Sequence, residues 1–279
     1  MSSRSEPIGP TAHYTGYTWY RQGWSHPALV TQRGRLLHLA SRPLLAGLQL
    51  IGGASLESIL VARHRAIDGL LGQAIADGRI GQVIEVAAGL SPRGWDFMRR
   101  HGSRLRYIEA DLPLMAAAKR RRLAAIGPLP PGHEVVDLDA LADEGPQSLA
   151  ALARRLDPQQ GTAIITEGLL NYFSRDEVLG MWRRFAQVLS GFPQGLYFSD
   201  LHLQQGNRSP MTGVFSRILG RYVRGGVHFH FNDAAEAEAA LRDCGLSGAR
   251  VCDPRQLPGA ERLAFGPGIE RVKIVVASV

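Results

Sequence analysis

Apolar positions between residues 31 and 80 recur at helical spacing: Leu56, Ile59, Leu60, Ile67, Leu70, Leu71 and Ile75 would share one face. Asp77-Gly78 supplies a stop signal. From Gln82 onward the period switches repeatedly. Short apolar runs at Gln82–Val86, Leu105–Ile108, Glu134–Leu138, Thr162–Thr166 and Leu196–Ser199 read as strands. Between them lie amphipathic segments at Ser91–His101, Pro113–Ile126, Pro146–Leu156 and a helix starting at Ser174, where Glu177 three residues on completes a capping box. An Ala/Glu-rich helix over Asp233–Asp243 and two last strands, near Ala249–Cys252 and Arg271–Ala277, finish the chain. Strand–helix alternation of this kind predicts a doubly wound, mostly parallel α/β sheet of seven strands, Rossmann-like in its winding.

The first 30 residues break that rhythm. Tyr14, Tyr17, Trp19, Tyr20 and Trp24 follow no regular period, so a cap or lid is expected there rather than a strand. The predicted organisation is a helical N-terminal cap over 1–80 and one cofactor-binding domain over 81–279, carrying an irregular insertion at 203–231. Both the cap and the insertion would shape an acceptor pocket.

Composition changes little. The 279 residues have 45% hydrophobic and 20% charged content, ordinary for a globular chain. The net charge of +7 comes almost wholly from arginines spread along the sequence. Only Lys119–Arg122 forms a run, on an expected helix, which reads as a solvated face rather than a nucleic-acid surface. The longest apolar stretch, Leu44–Leu60, is interrupted by Gly47, Gln49, Gly52, Gly53 and Glu57, so no membrane span is predicted. The N-terminus lacks the apolar segment of a signal peptide, and Cys244 and Cys252 are too few for a disulfide framework. A cytoplasmic protein acting on a small molecule is the expectation; the oligomeric state is silent.

In doubly wound sheets ligands sit beyond the carboxyl ends of the strands. Glu85-Val-Ala87-Ala-Gly89 ends the first strand as a degraded acidic-x-Gly-x-Gly turn, whose small residues let a ligand approach the backbone. Glu109 and Asp111 end the second strand, where a carboxylate can accept from both hydroxyls of a ribose. Asp137 and Leu138 end the third; the former can accept from an adenine amino group while the latter packs the ring. Each acid alone could simply cap the next helix. Three at successive strand ends point to a nucleoside.

These motifs, in this order, resemble the leucine carboxyl methyltransferase-like O-methyltransferases, including the polyketide-synthesis enzymes. The resemblance runs over about residues 55–180. It rests on Arg63-His-Arg65-Ala-Ile-Asp68, on VIEVAAGLSPRG (Val83–Gly94), on IEADLPLMAAAKRRRL (Ile108–Leu123), on Val136-Asp137-Leu138 and on ITEGLLNYFSRDEV (Ile165–Val178). Ser91-Pro92-Arg93 stands where the family has Asp-Thr-Arg. The resemblance implies S-adenosyl-L-methionine as cofactor. It implies that Arg63 pairs with the methionine carboxylate, and that Glu85, Ala87 and Gly89 line the methionine moiety. It further implies that Asp111 binds the ribose, that Asp137 and Leu138 frame the adenine, and that Glu167 and Gly168 lie near the amino group.

The implied reaction is methyl transfer to a carboxyl or hydroxyl of a small metabolite. A carboxylate needs no base, whereas a hydroxyl could use one. His202, after the fifth strand, is the best-placed candidate, and Tyr172 can face the acceptor. Ser199, Asp200 and His202 lack a nucleophile elbow and are not read as a hydrolytic trio. His228 and His230 alternate like a metal pair but lack a third ligand, so no metal is expected. Two other readings stay open: a catalytically silent protein that keeps the fold and binds the cofactor, and an NAD(P)-dependent oxidoreductase. Against the latter stands the missing Gly-x-Gly-x-x-Gly spacing.

Overall fold

The computed structural model describes residues 10–50, 55–206, 228–260 and 266–279. Seven strands make one sheet, in the order β3-β2-β1-β4-β5-β7-β6. They are β1 (Gln82–Val86), β2 (Arg106–Asp111), β3 (His133–Asp137), β4 (Thr162–Thr166), β5 (Gly195–Leu201), β6 (Arg250–Cys252) and β7 (Lys273–Ser278). The first five run parallel; β7 lies antiparallel to β5, and β6 antiparallel to β7. Chain order reverses between β1 and β4, which is the switch point where a ligand crevice forms. Every residue of β1, β4 and β5 is buried, as befits parallel strands covered on both faces.

Alternate side chains of these strands feed two cores. Ile84, Val86, Ile108, Ile164 and Tyr197 pack with Trp182 and Phe185 of α7 (Arg175–Leu189), with Leu149 and Leu152 of α6 (Leu149–Ala153), and with Ala237 and Leu241 of α8 (Ala234–Asp243). Val83, Tyr107, Ile165 and Phe198 pack on the other face with Ala66, Ile67, Leu71 and Ala74 of α3 (Leu56–Ala76) and with Phe97 and Met98 of α4 (Arg93–His101). Ser174 and Glu177 form the expected capping box on α7. α3 begins at a Ser55 cap and ends at Asp77, before Gly78 turns left-handed at φ 70°.

Three differences from the sequence reading matter for the site. β2 runs on through Glu109, Ala110 and Asp111, because parallel pairing with β3 continues to Asp111 opposite Asp137. β5 runs on through Asp200 and Leu201, because antiparallel β7 pairs with them at Ile274 and Lys273. The aromatic N-terminal stretch contains a regular helix, α1 (Pro10–Arg21). Its period was obscured because its rings serve different neighbours. Tyr14 stacks on His38 of α2 (Gln32–Leu50) and Tyr17 meets the same ring edge-on, while Trp19 stacks on Trp24 and on His64 of α3. The segment 207–227 of the expected insertion lies outside the described residues. Among the described residues, no helix is long and apolar enough to cross a membrane.

Candidate active site

The turn after β1 carries Ala87 at φ 55° and Gly89 at φ 51°. Ala87 is the sole non-glycine residue with positive φ among the described residues. The glycine-type turn is therefore built although one of its glycines is an alanine, a local strain of the kind kept at ligand sites. Asp111 closes the turn from the next strand: its Oδ2 accepts from the Gly89 N–H at 2.7 Å and its Oδ1 from the Leu112 N–H at 2.8 Å. Burial pushes its carboxyl up to about 6, even though these two bonds and Lys119 act to lower it. Above Gly89 lies α1: a Cβ built on this glycine would meet the Ala12 methyl at 3.5 Å.

Across the switch point, Arg63 of α3 reaches the ends of β4 and β5. Its Nε donates to Glu167 Oε1 at 3.1 Å and its Nη1 to Asp200 Oδ2 at 2.9 Å. Asp200 Oδ1 accepts from the Gly168 N–H at 2.6 Å. Gly168 has φ 67°, and a Cβ there would lie 2.8 Å from Arg63 Nη2. A glycine is thus needed both for the turn and for the guanidinium to lie against it. Arg63 Nη2 donates to no protein group among the described residues.

Beneath Arg63, the fully buried Arg93 donates to three carboxylates at once. Nε reaches Asp68 Oδ1 at 2.6 Å, Nη1 reaches Glu85 Oε1 at 2.6 Å, and Nη2 reaches Glu167 Oε2. Glu85 also accepts from the Tyr107 hydroxyl at 2.9 Å, and His64 Nδ1 lies 2.8 Å from Glu167 Oε2. Burial alone would raise the Glu167 carboxyl; His64, Arg93 and Arg63 instead hold it well below the usual carboxylate range. Three guanidiniums, those of Arg63, Arg93 and the more exposed Arg65, face four carboxylates (Asp68, Glu85, Glu167 and Asp200), so the carboxylates outnumber the guanidiniums by one.

A second buried cluster fixes the turn from the other side. Glu109, fully buried, pairs with Lys119 of α5 (Pro113–Ala124) and with His133 Nε2 at 2.7 Å. Lys119 Nζ also donates to the Ser91 carbonyl at 2.6 Å, and Ser91 Oγ accepts from the Arg93 N–H at 3.2 Å. Ser91 thereby secures the start of α4.

Of the two acids that end β2, Glu109 is consumed by this cluster, and Asp111 is the one at the turn. Asp137 accepts from Arg120 Nη2 at 2.8 Å, and Leu138 is buried in the core, its N–H donating to the Asp111 carbonyl. Glu85 supports Arg93 from inside the sheet. Tyr172 lies near Arg63 and Asp200, within hydrogen-bonding reach of Thr11 of α1, and burial raises its hydroxyl. His202 Nδ1 lies 3.1 Å from the Arg271 carbonyl and its Nε2 is 4.0 Å from Asp200 Oδ2. Ser199 turns the other way, onto Thr166. His230 Nε2 lies 3.2 Å from the Leu170 carbonyl, its ring stacked on His228.

Arg93, His64, Asp68, Asp200 and Lys119 were not singled out as site residues from sequence. A signal did exist for four of them. Arg93, His64, Asp68 and Lys119 all stand inside the quoted motifs, and an arginine placed between a glycine turn and a helix is a position worth testing for burial. For Asp200 the signal was hidden by the underestimated length of β5.

The leucine carboxyl methyltransferase family profile matches residues 37–186, more than half of the chain, and the chain belongs to that family. A Mycobacterium leprae protein, named among the S-adenosyl-L-methionine-dependent methyltransferases, is 34% identical over 113 residues. That match takes in 40% of this chain and 36% of the relative, so the chain aligns with little more than a third of its length. Among solved structures, a Thermobifida fusca protein described as a methyltransferase superposes with a TM-score of 0.64. It is 16% identical and covers 99% of this chain and 98% of its own. PigF, solved with S-adenosylhomocysteine, gives a TM-score of 0.52 at 16% identity, covering 76% of this chain and 55% of its own. The fold is that of the class I methyltransferases.

Proposed function

We propose that the protein is an S-adenosyl-L-methionine-dependent O-methyltransferase that modifies a carboxyl or hydroxyl of a small metabolite. The observation that carries this reading is the pair of groups on either side of the switch point. Asp111 lies at the glycine-type turn, and Arg63 lies at the ends of β4 and β5 with its Nη2 edge uncommitted among the described residues. A nucleoside joined to an amino acid needs both. The residues fit the cofactor on three counts. Asp111 can accept from a ribose diol. Arg63 Nη2 can take the methionine carboxylate while Glu167 holds Nε and Asp200 holds Nη1 in place. The surplus of carboxylates over guanidiniums around Arg63 and Arg93 suits a molecule whose sulfonium and ammonium outweigh its one carboxylate.

In this assignment Ala87 and Gly89 line the methionine moiety, Glu167 and Gly168 flank the amino group, and Asp137 and Leu138 border the adenine. Glu85 acts through Arg93. The bound cofactor supplies an electrophilic methyl and a good leaving group, so the chain's contribution is orientation and exclusion of water. Of the cap expected over 1–80, α1 roofs the turn, whereas α3 packs on the sheet itself.

Isothermal titration with S-adenosylmethionine and S-adenosylhomocysteine tests the reading. Binding is expected, weakened strongly by Arg63→Ala and by Asp111→Ala. A wild-type protein that binds neither compound would sink it.

A further inference from the structure

We propose that α2 docks the protein onto a membrane surface rich in anionic phospholipid, lying among the headgroups rather than crossing the bilayer. The proposal goes beyond the methyltransferase reading above and does not depend on it.

α2 has two faces of opposite character. Its inner face packs on α1. A Cβ built on Gly34 would collide with the His13 carbonyl, so the two helices meet backbone to backbone there. One turn on, His38 is buried against the rings of Tyr14 and Tyr17. The outer face is apolar and uncovered. Leu36 is 67% exposed and Leu39 48%, and Ala40 and Pro43 are exposed beside them. Spaced i, i+3, i+4 and i+7, these four residues form one stripe along the helix. A lone exposed leucine is ordinary, but a continuous apolar stripe marks a surface that something covers.

Charge says what covers it. By the helical repeat, Arg33 lies on one flank of the stripe, and Arg35 and Arg42 lie on the other. All three are exposed, and none pairs with a carboxylate among the described residues. The sequence holds no aspartate or glutamate between Glu6 and Glu57, and Glu57 is engaged by Arg21 and Gln22. An apolar stripe bordered on both sides by arginines suits an interfacial helix. Its leucines enter the acyl boundary while the guanidiniums stay among the lipid phosphates. α2 is not long and apolar enough to cross a membrane, which fits a helix that lies on one.

Other occupants fit less well. Two copies paired about a two-fold axis along α2 would set the arginines of one against those of the other, with no carboxylate on either helix between them. A nucleic acid would engage the arginines but leave the leucines in water.

Cosedimentation of the full chain with vesicles tests this. One set holds equal parts phosphatidylcholine and phosphatidylglycerol; the other is phosphatidylcholine alone. Binding to the anionic set is expected, weakened by added salt, with little binding to the neutral set. At about fivefold per arginine, Arg33→Gln/Arg35→Gln/Arg42→Gln should lower the partition coefficient about 100-fold. Leu36→Gln/Leu39→Gln leaves every charge in place and should lower it by at least about tenfold. All five side chains are exposed, so both variants should melt with the wild type.

The net charge of +7 would by itself draw the protein to an anionic vesicle, so a control removes the same charge elsewhere. Arg104→Gln/Arg154→Gln/Arg250→Gln takes three exposed arginines outside the cap and should change binding far less. Equal loss in this control and in the α2 arginine variant would reduce the effect to net charge and overturn the proposal. So would absence of binding to the anionic vesicles, or binding unchanged by Leu36→Gln/Leu39→Gln. A lipid-free dimer in sedimentation velocity that the leucine substitutions dissociate would give the face to a second copy, and overturns it too. Failure to bind S-adenosylhomocysteine would touch the methyltransferase reading alone, since vesicle binding needs no cofactor.

Discussion

Arg93 donates from Nη2 to Glu167 Oε2 across 74 residues of chain. This contact ties the start of α4, just past the glycine-type turn, to the loop that leaves β4. Glu167 in turn holds Arg63 Nε. The turn after β1 and the ends of β4 and β5 are therefore joined through one buried carboxylate, through which Arg93 holds Arg63 in position.

Arg93→Met should be among the most destabilising single changes available in this chain. It keeps an unbranched apolar stem but leaves Asp68, Glu85 and Glu167 without their shared cation. Breaking a buried ion pair from one side typically costs about 3–5 kcal/mol. Urea denaturation should show a loss of that order. Arg93→Lys should recover little, because an ammonium cannot present a planar fork to three acids at once. A variant that unfolds at the wild-type urea concentration would show that the cluster does not hold the site together.

Much of the scaffold was legible because its signals are local. Continuous apolar runs marked β1 and β4 to the residue, and Ser174 with Glu177 marked the start of α7. What escaped depends on partners distant in sequence. Asp200 became a strand residue because β7 pairs with it, and nothing near residue 200 announces β7. α1 was hidden because its rings stack on His38 and His64 rather than on each other in a single stripe. For the site, sequence order picked out Arg63, Asp111 and Glu167, but not the cluster that orients them. A buried arginine looks like any other arginine until its three acids are seen around it.

Lys119→Met tests the second cluster. It leaves Glu109 beside His133 in a fully buried setting and removes the donor to the Ser91 carbonyl. A stability loss of about 3–5 kcal/mol is expected for a buried carboxylate stripped of its cation. The double variant Lys119→Met/Glu109→Leu should regain part of it, since removing both charges is far cheaper than stranding one. Thermal melts of the two variants side by side give the answer. A double variant less stable than the single one would contradict this account.

Gly168→Ala should weaken cofactor binding more than it weakens the fold. The residue sits at φ 67°, where an alanine costs about 1–2 kcal/mol, and its Cβ would press on Arg63 Nη2 at 2.8 Å. That nitrogen is the edge assigned to the methionine carboxylate. A melting temperature lowered modestly, together with at least a tenfold rise in the dissociation constant for S-adenosylhomocysteine (about 1.4 kcal/mol), is the expected pattern. Equal affinity in the variant would show that Arg63 Nη2 does not take the carboxylate.

Asp111 gives cofactor binding a pH dependence of defined sign. Its carboxyl is pushed up to about 6 from an ordinary 3.8, with burial as the cause. A ribose diol donates hydrogen bonds, so it favours the ionised form. Below about 6 the free protein keeps a proton on Asp111 that the cofactor must displace, and affinity should fall as pH falls through this value. Above it, affinity should level off. Stability runs the other way: a raised carboxyl holds its proton more tightly when folded, so ionising Asp111 subtracts stability as pH rises from 3.8 towards 6. Asp111→Asn should therefore bind S-adenosylhomocysteine more weakly, lose the pH step in binding, and be spared that loss of stability. Calorimetry one unit either side of the step, in buffers of different ionisation enthalpy, should also detect proton release on binding at the lower pH. A wild-type dissociation constant that stays flat across the step, with no proton released, would mean that Asp111 does not bind the ribose as a carboxylate.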